Sequence, residues 1–218
     1  MYYSPLRYPG GKSKIVPLIK QIIISNNLEG CTFVEPFAGG AGVALDLLFN
    51  NLVGHIVIND SDIAIFSFWK AILEETDRFV KDIYDIPLTI KEWGHQKEIL
   101  KNTKEPCYEL GFAAFYLNRT NRSGILNAGV IGGKKQDGKW KMDARFNREN
   151  LAKKIIEISK RKNDITVFGL DIRDFVKYIP SENVFVYLDP PYYEKGKELY
   201  SNFFAHEDHK TLENLIKE

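Results

Sequence analysis

The feature that most constrains the fold of this chain is a glycine-rich turn between two apolar segments. The first segment, Thr32–Phe37, is predicted to be a short buried strand, and the turn Ala38–Gly42 after it holds three glycines, which allow a sharp change of direction. A helix is predicted to begin at Val43, and a second strand is predicted at His55–Asn59. A strand, a turn, a helix and a second strand form a βαβ unit with parallel strands. We therefore expect an α/β fold built on a parallel sheet.

Two carboxylates lie at the ends of these strands. Glu35 stands just before the glycine turn, where a carboxylate can face an α-amino group or an ordered water. Asp60 follows the second strand, a position from which a carboxylate binds ribose hydroxyls in Rossmann-like sites. This pattern indicates a nucleoside site. The alternative is that Asp60 only caps the next helix.

A third apolar strand, predicted at Ile165–Leu170, also ends in an acidic residue. From this position Asp171 can accept a hydrogen bond from an adenine amino group, with Ile172 against the ring. Asp174 competes for the same role. Either aspartate can instead cap the helix that starts near Arg173.

The apolar run Val184–Leu188 is predicted to be a buried strand, and it is followed by Asp189, Pro190, Pro191 and Tyr192. Ligands of open α/β sheets bind at the carboxyl ends of the strands. The prolines restrict the backbone and thereby fix the direction of the Pro190 carbonyl. Two acceptors and an aromatic ring suit a planar substrate that carries an NH2 group. The alternative is a strand that ends in a proline-stiffened turn.

The middle of the chain carries an excess of positive charge. Residues 115–162 contain 13 Lys and Arg against 4 Asp and Glu, although the net charge of the 218 residues is only +1. This asymmetry indicates an anionic partner such as nucleic acid, the alternative being a solvated basic face. The alternation of strands and helices is interrupted here. We therefore predict an inserted domain at 74–162 between two parts of a core domain, 1–73 and 163–218.

Other classes of protein find less support. No apolar run approaches the ~20 residues that span a bilayer. The N-terminus shows no secretory segment, so no membrane partner and a cytoplasmic location are expected. The two cysteines, Cys31 and Cys107, lack the spacing of metal ligands, and we expect reduced thiols and no metal site.

Four motifs, which cover nearly the whole chain, resemble those of the Dam-type DNA adenine methyltransferases. They are Tyr8–Lys12, Phe33–Gly42, Tyr116–Arg119 and Asp189–Tyr192. Their order is the alpha arrangement of this family, with the methyl-donor motif first and the catalytic motif last. The resemblance implies a Rossmann-like sheet with helices on both faces and an inserted, mostly helical target-recognition domain. It also implies S-adenosylmethionine as donor, and as acceptor the exocyclic amino group of a flipped-out adenine in double-stranded DNA.

The resemblance and the residue types together assign three sets of side chains. The donor-binding set is Tyr8, Lys12, Glu35, Pro36, Phe37, Ala38, Gly39, Gly40, Asp60, Asp171, Ile172 and Asp189. The catalytic set is Asp189, Pro190, Pro191 and Tyr192. The DNA-binding set is Arg7, Asn118, Arg119, Asn121, Arg122, Lys134 and Lys135, in which Arg and Asn suit base edges and Lys suits phosphates.

Several alternatives stay open at the level of the sequence. The acceptor can be a cytosine amino group or an RNA adenine, and the chain can be a truncated, non-catalytic DNA-binding module. A nicotinamide-dependent oxidoreductase would leave the proline pair and the basic insertion without a role. Only four strands are visible where relatives have more. We expect the C-terminal strands to be missing, as in a fragment, unless a partner supplies them or the pattern understates the number of strands. Without them Val184–Leu188 would lie at an open edge. A restriction endonuclease of the same system is a candidate partner, and the oligomeric state is left open.

Overall fold

The chain is described by a computed structural model that covers residues 3–7 and 14–190. These residues form two compact units. The sheet unit comprises residues 3, 14–62 and 163–190, and the helical unit comprises residues 4–7 and 63–162. Within these ranges, no helix is long and apolar enough to cross a membrane. The functional domain boundaries at residues 74 and 162 stay a prediction.

The sheet unit is built on four parallel strands. They are β1 (Thr32–Glu35), β2 (His55–Asn59), β3 (Ile165–Phe168) and β4 (Val184–Val186), and their order in the sheet is β3-β2-β1-β4. In the register, Thr32 is opposite His55 on one side and Val184 on the other. From β1 the chain continues to β2 and β3 on one side, whereas β4 lies on the other side of β1. The strand order therefore reverses between β1 and β4, which is where open α/β sheets bind ligands. The predicted βαβ unit is confirmed.

The helices vary from one turn to more than three. They are α1 (Val16–Ser25), α2 (Gly42–Phe49), α3 (Ile63–Glu74), α4 (Thr76–Asp85), α5 (Ile90–Asn102), α6 (Tyr108–Thr120), α7 (Arg148–Ser159) and α8 (Ile172–Phe175). In the sheet unit, α8 covers one face of the sheet, because Ile172 and Phe175 share a core cluster with Val34 of β1 and Val57 of β2. Helix α2 packs against β1 and β2, and it also packs against α1.

The helical unit is held together by an aromatic core. The ring of Phe79 in α4 lies 5.1 Å from Phe112 and 5.2 Å from Phe115 of α6, and 5.9 Å from Phe68 of α3, measured between centroids. Edge-to-face pairs of this kind add to the stabilisation that burial of the rings provides. Of the 13 residues of α6, 11 are buried, including the polar residues Asn118 and Thr120, so this helix forms the centre of the unit.

The last strand differs from the prediction. The sequence suggests a buried strand at Val184–Leu188, but β4 ends at Val186, a residue that is 36% exposed. Within the described part of the chain β4 pairs only with β1, so one edge and part of its surface have no neighbouring strand. The main-chain pairing continues one residue further, because the N–H of Tyr187 donates to the carbonyl of Val34 at 2.8 Å.

Candidate active site and nucleic-acid interface

Three carboxyl groups meet at the carboxyl edge of the sheet. Glu35 is the last residue of β1, Asp60 directly follows β2, and Asp189 comes three residues after β4. They are close enough for the charges of Asp189 and Asp60 to raise the pKa of Glu35. A positively charged ligand at this edge would relieve the repulsion between like charges.

Glu35 is buried, with 5% of its surface exposed. Loss of hydration raises the pKa of Glu35 to about 8, and the two neighbouring carboxylates add to this effect. The backbone N–H of Ala44 in α2 donates to Oε2 of Glu35 at 3.2 Å and acts in the opposite direction. Glu35 is therefore mostly protonated at neutral pH in this state of the protein.

Asp60 connects β2 with the glycine turn. Its Oδ2 accepts from the N–H of Gly39 at 2.8 Å, and its Oδ1 accepts from the N–H of Asp62 at 2.9 Å. Burial raises the pKa of Asp60 to about 7, and the charge of Asp62 contributes in the same direction. Gly39 has a φ of +46°, a conformation that glycine adopts without a steric penalty. Asp60 therefore shapes the turn, and its contact with a ribose stays a prediction.

The other predicted residues of the glycine turn are packed closely around this point. Pro36, Ala38 and Gly40 are buried, whereas Phe37 is half-buried against the core cluster of Val34. The N–H of Ala38 donates to the carbonyl of Asn59 at 2.9 Å, which fixes the turn beside the end of β2. These residues offer a ligand mainly their backbone.

Asn59 is a site residue that the sequence interpretation missed. It is 2% exposed, and its Nδ2 donates to the carbonyls of Pro36 at 3.1 Å and Leu170 at 3.0 Å. Its Oδ1 accepts from the N–H of Leu170 at 2.9 Å. One amide thus holds together the loops that follow β1 and β3. The signal in the sequence was a polar residue at the last position of an apolar strand.

Asp171 and Ile172 lie where β3 leads into α8. Asp171 caps this helix through the N–H of Arg173, and its carboxylate forms an ion pair with the Arg173 guanidinium at 2.7 Å. This ion pair lowers the pKa of Asp171. Ile172 is 8% exposed and belongs to the core, so little of its surface is accessible to an adenine ring. Their donor contacts stay predictions.

The catalytic motif is described only in part. Asp189 and Pro190 are half-buried residues just beyond the end of β4, at the reversal of the strand order. Pro191 and Tyr192 lie outside the described residues, and so do Tyr8 and Lys12 of the donor-binding set.

Two residues of the predicted DNA-binding set are buried in the protein. Asn118 is 1% exposed: its Oδ1 accepts from the N–H of Arg7 at 2.7 Å, and its Nδ2 donates to the carbonyls of Arg7 at 2.7 Å and Gly124 at 2.8 Å. Asn121 is fully buried, accepts from the indole N–H of Trp93 at 2.7 Å, and donates to two carbonyls of the following turn. Both amides stand at the end of α6, the buried helix, and stabilise the helical unit. Their polar atoms form hydrogen bonds inside the protein, and their contacts with DNA stay a prediction.

Two of the predicted arginines also bind the protein backbone. The guanidinium of Arg7 donates to the carbonyl of Asn121 at 3.1 Å, and that of Arg119 donates to the carbonyl of Arg145 at 2.8 Å. Both side chains are half-buried. In contrast, Arg122 is exposed in a short 3-10 turn that follows α6. Arg122 is therefore the arginine of this set with the greatest access to a partner.

The predicted phosphate contacts lie on an exposed segment. Lys134 and Lys135 belong to residues 131–141, which we call the lysine loop, and their side chains are exposed. Lys139 and Lys141 are exposed in the same loop. Exposed lysines are accessible to phosphates. The phosphate contacts themselves stay a prediction.

Comparison with known proteins gives a consistent family. The model of the D12 class N6 adenine-specific DNA methyltransferases matches residues 8–218. The type II methyltransferase M.MjaIII of Methanocaldococcus jannaschii is 25% identical over 201 residues, which cover 86% of this chain and 68% of that protein. The type II methyltransferase M.CviBI of Paramecium bursaria Chlorella virus NC1A is 25% identical, with coverage of 97% and 77%. The modification methylase StsI of Streptococcus sanguinis is 25% identical over 96% of this chain but 32% of its own length.

Proposed function

This chain belongs to the D12 class N6 adenine-specific DNA methyltransferases, and we propose that its sheet unit carries out the transfer while its basic segment binds the DNA. Membership of the family makes it a DNA adenine methyltransferase and implies S-adenosylmethionine as the methyl donor in general. The assignment of roles to individual residues is our proposal. The observation that carries it is the group of three carboxyls at the reversal of the strand order.

The three carboxyl groups suit the charge of the donor. S-adenosylmethionine carries a sulfonium and an ammonium group, and it supplies the methyl group from the sulfonium when bound. Glu35 and Asp60 have raised pKa values because they are buried near like charges, and a cation nearby would favour their ionised forms. Glu35 and Asp60 thus serve to bind and orient the donor. The backbone of the glycine turn, which Asp60 holds at Gly39, borders the same place.

Asp189 and the carbonyl of Pro190 act on the acceptor. The amino nitrogen of adenine is a weak nucleophile because its lone pair is delocalised into the ring. When the two oxygens accept its two hydrogens, electron density concentrates on nitrogen and favours a pyramidal geometry as the methyl arrives. A bond forms between nitrogen and the methyl carbon while the carbon–sulfur bond breaks, and the surplus proton leaves towards Asp189 or water. The protein thus contributes by positioning the amino nitrogen towards the methyl group and by stabilising the charge that develops during the transfer.

The basic segment would bind the duplex in which the target base lies. A base within the stack is inaccessible, so it must be flipped out at a cost of a few kcal/mol. The exposed Arg122 is suited to a guanine edge, and the exposed lysines Lys134 and Lys135 are suited to phosphates. Contacts with the DNA backbone and with the bases would offset the free energy that base flipping requires.

The names of the relatives favour a role in protecting DNA. Two are type II methyltransferases and one is a modification methylase. We propose that this chain is likewise the modification component of a restriction-modification system, with a restriction endonuclease of the same specificity as its functional counterpart. Restriction digestion of DNA from cells that express the chain tests this point, since a modified site resists the matching endonuclease.

The proposed chemistry is tested by transfer of labelled methyl from S-adenosylmethionine to unmethylated duplex DNA, with the product base identified after digestion. We expect methyladenine with the wild type and its loss in Asp189→Ala. Asp85→Ala is the matched control, because Asp85 is an exposed aspartate of α4 in an ion pair with Lys81. If Asp189→Ala methylates at the wild-type rate, the assignment of Asp189 is refuted.

The donor site is tested separately by calorimetric titration with S-adenosylmethionine. Asp60→Ala should weaken donor binding by at least tenfold, since it removes a carboxylate and loosens the turn at Gly39. The control Asp85→Ala should bind like the wild type. Unchanged affinity in Asp60→Ala would contradict the proposed donor pocket. Binding of both ligands without transfer would instead favour the non-catalytic DNA-binding module.

A further inference from the structure

Trp140 is exposed to an unusual degree for a tryptophan. The residue is 66% exposed, the highest fraction among the exposed large apolar residues of the described part of the chain. The two other tryptophans of the chain, Trp69 and Trp93, are 1% and 7% exposed. An indole ring in water forgoes the stabilisation that burial of so large an apolar surface provides. Tryptophan is enriched at interfaces, where a partner covers the ring.

Hydrogen bonds of Gln136 stabilise the lysine loop that carries Trp140. Gln136 donates from Nε2 to the carbonyls of Ile131 at 2.7 Å and Gly133 at 2.6 Å, and its Oε1 accepts from the N–H of Met142 at 2.9 Å. Met142, directly after the loop, is 3% exposed and anchors it in the core. Trp140 is therefore held outward by a defined loop and is not part of a loose segment.

The backbone carbonyl of Trp140 is also closely packed against the other arm of the loop. Gly132 has a φ of +80°, and a Cβ added there would lie 2.5 Å from the carbonyl oxygen of Trp140. Only glycine permits this approach of the two arms of the loop. The ring itself contacts a cation, because Nζ of Lys139 lies 5.6 Å from its centroid.

The surroundings of Trp140 identify the partner by charge. Four exposed lysines, Lys134, Lys135, Lys139 and Lys141, share the loop with it, against a single Asp at position 137. A flat aromatic side chain among lysines is the combination with which proteins hold a nucleic-acid backbone and stack on its bases. Apolar side chains of this kind also insert between base steps and unstack them.

We propose that Trp140 is a DNA-contacting residue whose indole ring stacks on a base of the duplex while the lysines around it bind the phosphates. This inference rests on DNA as the substrate of the enzyme. Stacking stabilises the complex with the distorted duplex from which the target base must leave. Trp140 is then a determinant of DNA binding and of base flipping, and not of donor binding.

The tryptophan itself provides the first measurement. Because the other two tryptophans are buried, acrylamide should quench the emission of Trp140 selectively in the free protein. Addition of an unmethylated, mixed-sequence DNA duplex should quench the emission and protect it from acrylamide. Trp140→Phe should lack this signal. An emission that stays equally accessible to acrylamide at saturating DNA would overturn the inference.

The second measurement is affinity for the same duplex, by fluorescence polarisation of labelled DNA. Loss of one stacked aromatic by alanine substitution corresponds to a weakening of roughly 5- to 100-fold. We expect this loss in Trp140→Ala, with affinity largely retained in Trp140→Phe. The matched control is Tyr84→Ala, which removes a 50% exposed aromatic from α4, outside the lysine loop and next to Asp85. Equal affinity of Trp140→Ala and Tyr84→Ala would overturn the inference.

Salt dependence and methyl transfer distinguish stacking by Trp140 from a phosphate contact and from a role in donor binding. Trp140→Ala should leave the slope of log affinity against log salt unchanged, because the indole neutralises no phosphate. Its donor affinity should equal that of the wild type, while methyl transfer at subsaturating DNA falls. If wild-type protein transfers methyl and Trp140→Ala transfers it equally well, the inference fails although the proposed function stands. If the wild type transfers none, the proposed function fails first.

Discussion

Substitution of Glu35 by Gln is expected to stabilise the protein in a pH-dependent way. The pKa of a free Glu is 4.5, and in the folded protein that of Glu35 is raised to about 8 by burial. The folded state therefore binds the proton more tightly than the unfolded state, and the stability of the wild type falls as the pH rises from the first value towards the second. Gln stays neutral, and its side-chain oxygen can still accept from the N–H of Ala44.

The magnitude follows from the two pKa values. Linkage gives a destabilisation of wild type of about 1 kcal/mol near pH 5, about 3 kcal/mol near pH 7 and a limit of about 5 kcal/mol at high pH. Glu35→Gln should gain these amounts. Urea unfolding followed by far-UV circular dichroism measures them. Tryptophan emission is unsuitable for this purpose, because all three tryptophans belong to the helical unit.

The control for this experiment is Glu29→Gln, which changes an exposed glutamate of the sheet unit and should leave stability nearly unchanged at every pH. A gain for Glu35→Gln that is the same near pH 5 and pH 7 would refute the reasoning, since the effect would then come from packing and not from ionisation. A loss of stability near pH 7 would refute the assignment of a mostly neutral Glu35.

Three further outcomes concern the helical unit. Asn118→Leu should destabilise it by roughly 1–3 kcal/mol or more, because the N–H and carbonyl of Arg7 lose buried partners. Urea unfolding followed by tryptophan emission measures this loss. Unchanged stability would contradict the structural role of Asn118. Gly124→Ala should also destabilise the unit, because its φ is +78° and the new Cβ would lie 2.5 Å from the carbonyl oxygen of Arg7; a melting temperature equal to the wild type would show that this turn can rearrange. The double substitution Lys134→Ala, Lys135→Ala should reduce the slope of log affinity against log salt for DNA by about 2, and an unchanged slope would exclude phosphate contacts at these lysines.

The local pattern of apolar residues and glycines was sufficient to predict the βαβ unit on which the sheet is built. Thr32–Phe37 and His55–Asn59 are short apolar runs separated by a glycine turn and a helix, and nearby residues alone specify such a unit. The two strands appear at these places, the first two residues shorter than predicted. The fourth strand was predicted too long and too buried, because its exposure depends on neighbours in the sheet and not on its own residues.

The polar side chains were harder to interpret than the apolar ones. Asn118 bonds to Arg7 across 111 positions of sequence, and Asn59 bonds to Leu170 across 111 positions. No local pattern distinguishes an asparagine that forms hydrogen bonds with a backbone group distant in sequence from one that forms hydrogen bonds with a base. The sequence did predict that Glu35 and Asp60 lie at the carboxyl ends of neighbouring strands, where ligands bind in such sheets, and the structure places them there; their contacts with a donor stay a prediction.

The chain order of the two units has a consequence for synthesis on the ribosome. Every described residue of the helical unit precedes residue 163, whereas β3 and β4, which flank β2 and β1 in the described part of the sheet, come later. Because folding during synthesis starts from the N-terminal part, the helical unit can fold before β3 and β4 have been synthesised and can pair with β2 and β1. At that stage Val34 and Val57 lack the helix that covers them, so the nascent chain presents apolar surface to chaperones. Protease digestion of chains stalled before and after β4 would reveal this order, with the helical unit protected first and β1 last.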